Sequence, residues 1–345
     1  MTYSLDAVVA EMVSRSATNA HLKARTPVYF RVLDKLVKSQ LPIPSPGDLE
    51  GIANRLLSAD QQRIFAERLQ LDTILNLGNP LRRYRLLAFK QRDTVGLVLR
   101  NVPTRVPTLE EIGMPHMARE LLSKRRGIIL VTGPALSGKT TTVAAILNTW
   151  IQDNEAHIIT LEDPVEYILT SDNSLVTQRQ IGEDTATFTE GLRNVLRQDP
   201  DIIFVGELDS LETIGTAMAA AETGHLVIST IHAPDVASGV EQLIGAFPSR
   251  AQENVRIRLS ASIQGVLSQV LIPSTDGTRQ VAVFEIMTPS EGIRNLIRLN
   301  QSYRITDALV TNPNCSSFEV SVKTMIRKGL ITQAAAHWHL GSRAG

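Results

Sequence analysis

Apolar positions in the first hundred residues fall on short helical and alternating patterns separated by polar breaks. Leu5, Val8, Val9 and Met12 share one face of a predicted helix over 4–14. "PVYFRV" reads as a strand, and "SPGDLEGIANRLL" gives turn residues followed by a helical pattern. "RRYRLLAFKQ" and "TVGLVLRNV" are rich in β-branched and large apolar residues, with a polar break at Arg92-Asp93. They predict neighbouring antiparallel strands. Arg83 and Arg85 lie two apart on the first of these, so both project from one face. This half is α+β.

The stretch "NVPTRVPTLEEIGMP", with three prolines, reads as a linker. Beyond it the pattern alternates strand and helix. "GIILVTG", "HIITLED", "DIIFVGE" and "HLVISTIH" are short apolar runs of the kind buried on both faces of a parallel sheet. Between them lie the helical segments "TTTVAAILNTWI", one opening at Thr187 with Glu190 at capping-box spacing, and "SLETIGTAMAAAET" closed by Gly224. Such alternation predicts a parallel α/β sheet. After Gly245 the chain reads as mostly helical, apart from a short strand near "RQVAVFEI". The expected division is therefore residues 1–105 and 106–345, with a helical portion from about 245.

Charge supports a boundary at the same place. The 345-residue chain is neutral overall, yet residues 1–105 carry 16 Lys and Arg against 9 Asp and Glu, while the remainder carries 19 against 26. A basic lobe and an acidic one suit packing between subunits or an anionic ligand. The single Cys315 leaves no intrachain disulfide and no multi-cysteine zinc site. No apolar run approaches the roughly 18 residues of a membrane span, and Met1–Ser16 has no secretory apolar core. Both point to a cytoplasmic protein.

"LVTGPALSGKTTT" supplies the first chemistry. Gly133, Pro134, Ala135, Leu136, Ser137, Gly138, Lys139, Thr140 and Thr141 follow an apolar strand and open a helix, the context a phosphate-binding loop requires. Glycines let backbone N–H groups close on phosphates, and the helix N-terminus adds partial positive charge. Lys139 is expected to bridge phosphate oxygens, with Thr140 on Mg²⁺. Ligands of parallel sheets bind at the carboxyl ends of strands. There the sequence delivers Glu162, Asp163 and, three residues on, Glu166; then Glu207; then His232. A carboxylate at that edge can orient water or hold Mg²⁺ through water, and an imidazole can sense a terminal phosphate.

"TLEDPVEY", "RQDPDIIFVGELDSLETI" and "AAETGHLVISTIHA" resemble the Asp box, Walker B region and His box of secretion-superfamily ATPases. The PilT/PilU-type retraction ATPases of type IV pili are most similar. "RRYRLLAFKQRDTVGLVLRNVPTRVPTLEEIGMP" resembles that group's strand pair and linker, and "GIRNLIRL" its C-terminal motif; the match spans roughly residues 70–345. The resemblance implies a PAS-like N-terminal domain, a RecA-like ATPase domain and a homohexameric ring that binds ATP and Mg²⁺ at subunit boundaries. It implies Glu162 as the residue polarising the attacking water and Glu207 as the Walker B glutamate near Mg²⁺. His225 and His232 form the His-box pair, and Arg83, Arg85 and Arg100 match strand arginines that approach phosphates. Its implied partners are an inner-membrane pilus or secretion platform protein, at which the motor docks, and a paralogous motor ATPase.

Departures from the group's pattern are Leu136 in place of a loop glycine, Leu208-Asp209 after Gly206-Glu207, and Leu299 ending the C-terminal motif. Gly206 stands where many NTPases carry a Mg²⁺-binding Asp. Three alternatives keep the same core: a conjugation or type IVB secretion ATPase, a weakly active regulatory paralogue, and a nucleic-acid motor. The last is disfavoured by neutrality and by an aromatic content of 4%.

Overall fold

Short polar caps decide where the elements of the first unit begin. The computed structural model describes residues 3–33, 35–78, 82–102 and 105–341, so Pro103 and Thr104 of the expected linker lie outside the described residues. The chain divides into two compact units, Met1–Arg105 and Val106–Gly345. The first opens with α1 (Leu5–Ser14), whose N-cap Ser4 accepts from the Ala7 N–H and whose Val8, Val9 and Met12 are buried. There follow β1 (Asn19–Lys23), β2 (Tyr29–Val32), β3 (Lys35–Lys38), α2 (Pro46–Leu56), α3 (Ala59–Arg68), β4 (Gln70–Leu77), β5 (Arg82–Gln91) and β6 (Thr94–Val102). Ser45 and Ser58 each start a helix with a reciprocal capping box.

The strands form an antiparallel sheet in the order β3-β2-β1-β6-β5-β4. β5 and β6 are the expected hairpin, with Gln91 opposite Thr94. Arg92 and Asp93 both take positive φ, 44° and 58°, as a two-residue turn matching strand twist requires. One sheet face packs on α1 and α2 through Phe30, Leu49, Ile52, Tyr84, Leu86, Leu97 and Leu99.

The second unit is doubly wound. After a 3₁₀ segment at His116–Ser123 come β7 (Gly127–Thr132), α4 (Lys139–Asp153), β8 (His157–Glu162), β9 (Leu175–Gln180), α5 (Phe188–Val195), β10 (Ile202–Val205), α6 (Leu211–Glu222) and β11 (Leu226–Ile231). Then follow α7 (Val236–Gly245), α8 (Ser249–Ser262), β12 (Ile263–Pro273), β13 (Gln280–Met287), α9 (Glu291–Arg298), α10 (Ile305–Thr311), α11 (Phe318–Arg327) and α12 (Gln333–Leu340). The sheet order is β13-β12-β7-β11-β10-β8-β9, parallel except for the antiparallel edge strand β13. β7 and β11 are buried at every position, as two helix-covered faces demand.

Three expectations need correction. The region after Gly245 is mostly helical in its regular structure, as expected, but it also holds β12, an unexpected strand of 11 residues beside β7. It escapes a sequence reading since α8 runs directly into it at Ser262-Ile263, and Gln264, Gly265, Ser268 and Gln269 interrupt its apolar run. The expected linker is shorter than its prolines suggest. Asn101 and Val102 belong to β6, while Leu109 and Met114 are buried in the second unit's core. Thr187 caps α5 by accepting from the Glu190 N–H, but the reciprocal bond of a full capping box is not made.

Candidate functional site

The loop after β7 can bend as it does because of three left-handed positions. Gly133, Leu136 and Gly138 have φ of 150°, 63° and 85°. A Cβ on Gly133 would lie 2.4 Å from the Gln269 carbonyl oxygen and 2.5 Å from Ser137 Oγ, so no larger residue fits. Gly138 is the N-cap of α4 and offers no capping side chain. The first N–H groups of that helix are left to an anion from outside the chain.

β12 supports this loop from below. Gln269, 1% exposed, donates from Nε2 to the Ser137 carbonyl at 2.5 Å. Ser137 Oγ, Gln269 Oε1, Thr132 Oγ1 and Ser268 Oγ are buried with no hydrogen-bond partner among the described residues. Thr132 and Ser268 are register partners across β7 and β12 and face the side of the sheet opposite Gln269. Gln269 was not legible as a functional residue, since its role exists only once β12 lies beside β7.

Lys139 occupies the cradle. Its side chain is buried, and Nζ donates to the Gly133 and Pro134 carbonyls at 2.9 Å each. His232 Nδ1 lies 3.3 Å from the same nitrogen. Burial lowers the ammonium pKa to about 8, against an opposing pull from Glu207. The other ring nitrogen of His232 is 3.5 Å from Glu207 Oε1. Strands β7, β10 and β11 thus bring Lys139, Glu207 and His232 into one chain of contacts.

Glu162 ends β8 and is 6% exposed. Its Oε1 accepts from Thr160 Oγ1 at 2.7 Å and from Gln178 Nε2 at 3.0 Å. Glu162 and Thr140 line a common cavity of about 10 Å³ with Ala144, Tyr167 and Gln178, the scale of one water. Thr141 faces Tyr167, with Oγ1 and the phenol oxygen 2.9 Å apart. Asp163 is exposed and Glu166 half-buried. A Cβ on Gly206 would lie 3.1 Å from the Leu161 carbonyl oxygen, a tight fit for any larger residue. Asp209 accepts from Thr213 Oγ1 at 2.9 Å, so its charge is spent at the start of α6.

His225 is not brought to the cradle within the chain. It precedes β11, with Nδ1 3.1 Å from the Ala220 carbonyl oxygen, whereas His232 follows the same strand. Six strand residues separate the two by roughly 20 Å. In the first unit Arg85 is directly opposite Arg100 across β5 and β6, and Arg83 opposite Val102. Arg85 is held by Asp72 of β4, with Nε and Nη2 2.9 and 2.7 Å from the two carboxylate oxygens.

Residues 2–298 match the family model described as type II/IV secretion system protein. The chain belongs to this family. Among type II/IV secretion system proteins, YggR of Escherichia coli K12, an uncharacterized protein, is 38% identical over 94% of this chain and 99% of its own. The type IV pilus retraction ATPase PilT of Pseudomonas aeruginosa is 37% identical over 95% of this chain and 96% of its own. A crystal structure of the pilus retraction motor PilT with bound ADP superposes with a TM-score of 0.84 at 35% identity, covering 95% of this chain and 94% of that one. The family fold is thus present in both units, and the loop, the uncapped helix and the buried lysine suit the phosphates of a nucleotide.

Proposed function

We propose that this chain is the subunit of a homohexameric ATPase that drives disassembly and retraction of type IV pili from the cytoplasmic face of the membrane. The observation that carries its chemistry is the Lys139–His232–Glu207 chain at the phosphate cradle. Near full-length similarity to a retraction ATPase carries the step to pili. Lys139 leaves the loop carbonyls to bind terminal phosphate oxygens. Glu162, buried and held by Thr160 and Gln178, polarises the attacking water. Thr140, with Glu207 through water, would hold Mg²⁺, which when bound draws charge from the phosphate oxygens. His232, touching both Lys139 and Glu207, reports whether the cradle is filled. Arg83, Arg85 and Arg100 serve nucleotide held by a neighbouring subunit, and for Arg85 this requires opening the Asp72 pair. An inner-membrane platform protein and a paralogous motor are the partners this reading calls for.

The test is phosphate release from ATP by the purified chain, with Mg²⁺ and with EDTA, paired with deletion of the gene in its native host. Lys139→Ala is expected to abolish turnover and to leave deletion cells with excess surface pili that do not retract. Turnover near wild type in Lys139→Ala would sink the cradle assignment. Normal retraction in the deletion would redirect the motor to another secretion system. The left-handed Leu136 favours one second reading, a slow regulatory paralogue, for which nucleotide binds but turnover is absent.

A further inference from the structure

Glu162 takes its place from a strand that carries none of the family's named boxes. Edge strand β9 runs parallel to β8, with Gln178 beside Thr160 and Gln180 beside Glu162. The two glutamines lie two apart and so share one face of β9. Gln180 Oε1 accepts from the Val165 N–H at 3.1 Å. Gln178 does more. Its Nε2 donates to Glu162 Oε1 at 3.0 Å and to the Tyr167 carbonyl at 2.9 Å, while its Oε1 accepts from the Leu169 N–H at 2.8 Å.

We infer that Gln178 is a positioning residue for ATP hydrolysis, aiming the Glu162 carboxylate and fixing it against segment 165–169. This rests on the role proposed for Glu162 above. Only a primary amide of this length offers two donors and an acceptor in one plane. A carboxylate in its place keeps the acceptor for Leu169 but faces Glu162 with like charge. A thioether keeps the volume and makes none of the three bonds. The amide also reaches the cradle indirectly, since Tyr167, whose carbonyl it holds, contacts Thr141 beside Thr140. The carboxylate and the phosphate-loop helix are thus referenced to one side chain. Misplacing a reacting group by about 1 Å can cost on the order of 10²-fold in rate.

The experiment is steady-state ATP turnover and nucleotide affinity of the full chain carrying Gln178→Met, Gln178→Glu and Thr160→Val, each alone and combined with Glu162→Gln. Gln178→Met is expected to lower kcat by about 10- to 100-fold with affinity changed less than about twofold. Gln178→Glu should be worse than Gln178→Met, although a purely structural role would rank them the other way. Thr160→Val, which removes the Thr160 hydroxyl donor to the same oxygen and keeps its shape, should also lower kcat. In the Glu162→Gln background the Gln178 substitutions should cost less than about twofold more, because they act through a group already disabled. Full additivity in that background, or a Gln178→Glu chain as active as wild type, overturns the inference. If Gln178→Met does not fold, Gln178→Glu and Thr160→Val carry the same decision. Wild-type turnover abolished by Glu162→Gln but indifferent to Gln178 rejects this inference alone. A wild type with no turnover rejects the site reading as well.

Discussion

The imidazole Nδ1 of His232 lies 3.3 Å from the ammonium nitrogen of Lys139. With Lys139 as an ammonium, Nδ1 accepts from it, and the opposite ring nitrogen, Nε2, lies 3.5 Å from Glu207 Oε1. The cradle thus holds a partly desolvated lysine. Burial brings its pKa to about 8 from the usual 10.5, against the opposing pull of Glu207.

Phosphates placed on Lys139 should restore its charge, which fixes the sign of a proton effect. Near pH 8 about half of the unliganded lysine is neutral, so nucleotide binding should take up on the order of half a proton, fading toward zero by about pH 6.5. Calorimetry in buffers of different ionisation enthalpy measures this directly. Proton release at pH 8, or no buffer dependence, would contradict it. In the nucleotide-free chain the unfolded state holds this proton to about pH 10.5, so stability contributed by this group rises with pH from about 8 to 10.5.

Glu162→Gln and Glu207→Gln should leave ATP binding largely intact and reduce turnover by roughly 10²-fold or more, the scale of a lost general base or metal partner. A fluorescent nucleotide titration beside the turnover assay separates binding from chemistry. Failure of either variant to bind ATP would assign that residue to holding nucleotide.

Gln269→Met should weaken nucleotide binding by about tenfold, because the buried Ser137 carbonyl then loses its donor, at about 1–3 kcal/mol. Thermal melting with and without ADP checks it. Unchanged affinity would mean that the loop keeps its shape without β12.

The arginines call for a mixing experiment. Arg83→Ala/Arg85→Ala/Arg100→Ala chains and Lys139→Ala chains, each expected to be inactive, should regain turnover when co-assembled. Activity would return at junctions joining an intact first unit to an intact second unit. No recovery in rings shown by mass to be mixed would place the arginines in service of their own chain.

Much of this was legible wherever the signal is local. The runs at β7, β8, β10 and β11 announce a parallel sheet, because a strand covered on both faces needs apolar residues throughout. Lys139 was legible from its glycines and Glu162, Glu207 and His232 from strand ends. What escaped depends on neighbours far along the chain. Gln269 and Gln178 are ordinary strand glutamines until β12 and β9 pair, and β9 is a polar edge with few apolar marks. His225 is the instructive case. A seven-residue offset from His232 across a strand already implies opposite ends of the sheet, yet the shared motif invites reading them together.

Leu136 leaves one consequence for how often the cradle is ready. A leucine with φ of 63° gives up about 1–2 kcal/mol against its right-handed alternatives, a difference that glycine does not feel. Its side chain is 65% exposed, so packing returns little of that energy. The equilibrium constant for the loop shape that receives phosphate is then smaller by about 5- to 30-fold than with glycine at this position. Apparent affinity falls in proportion to the share of loops so lost. One side chain at the loop's tip thereby sets the nucleotide concentration at which this subunit fills.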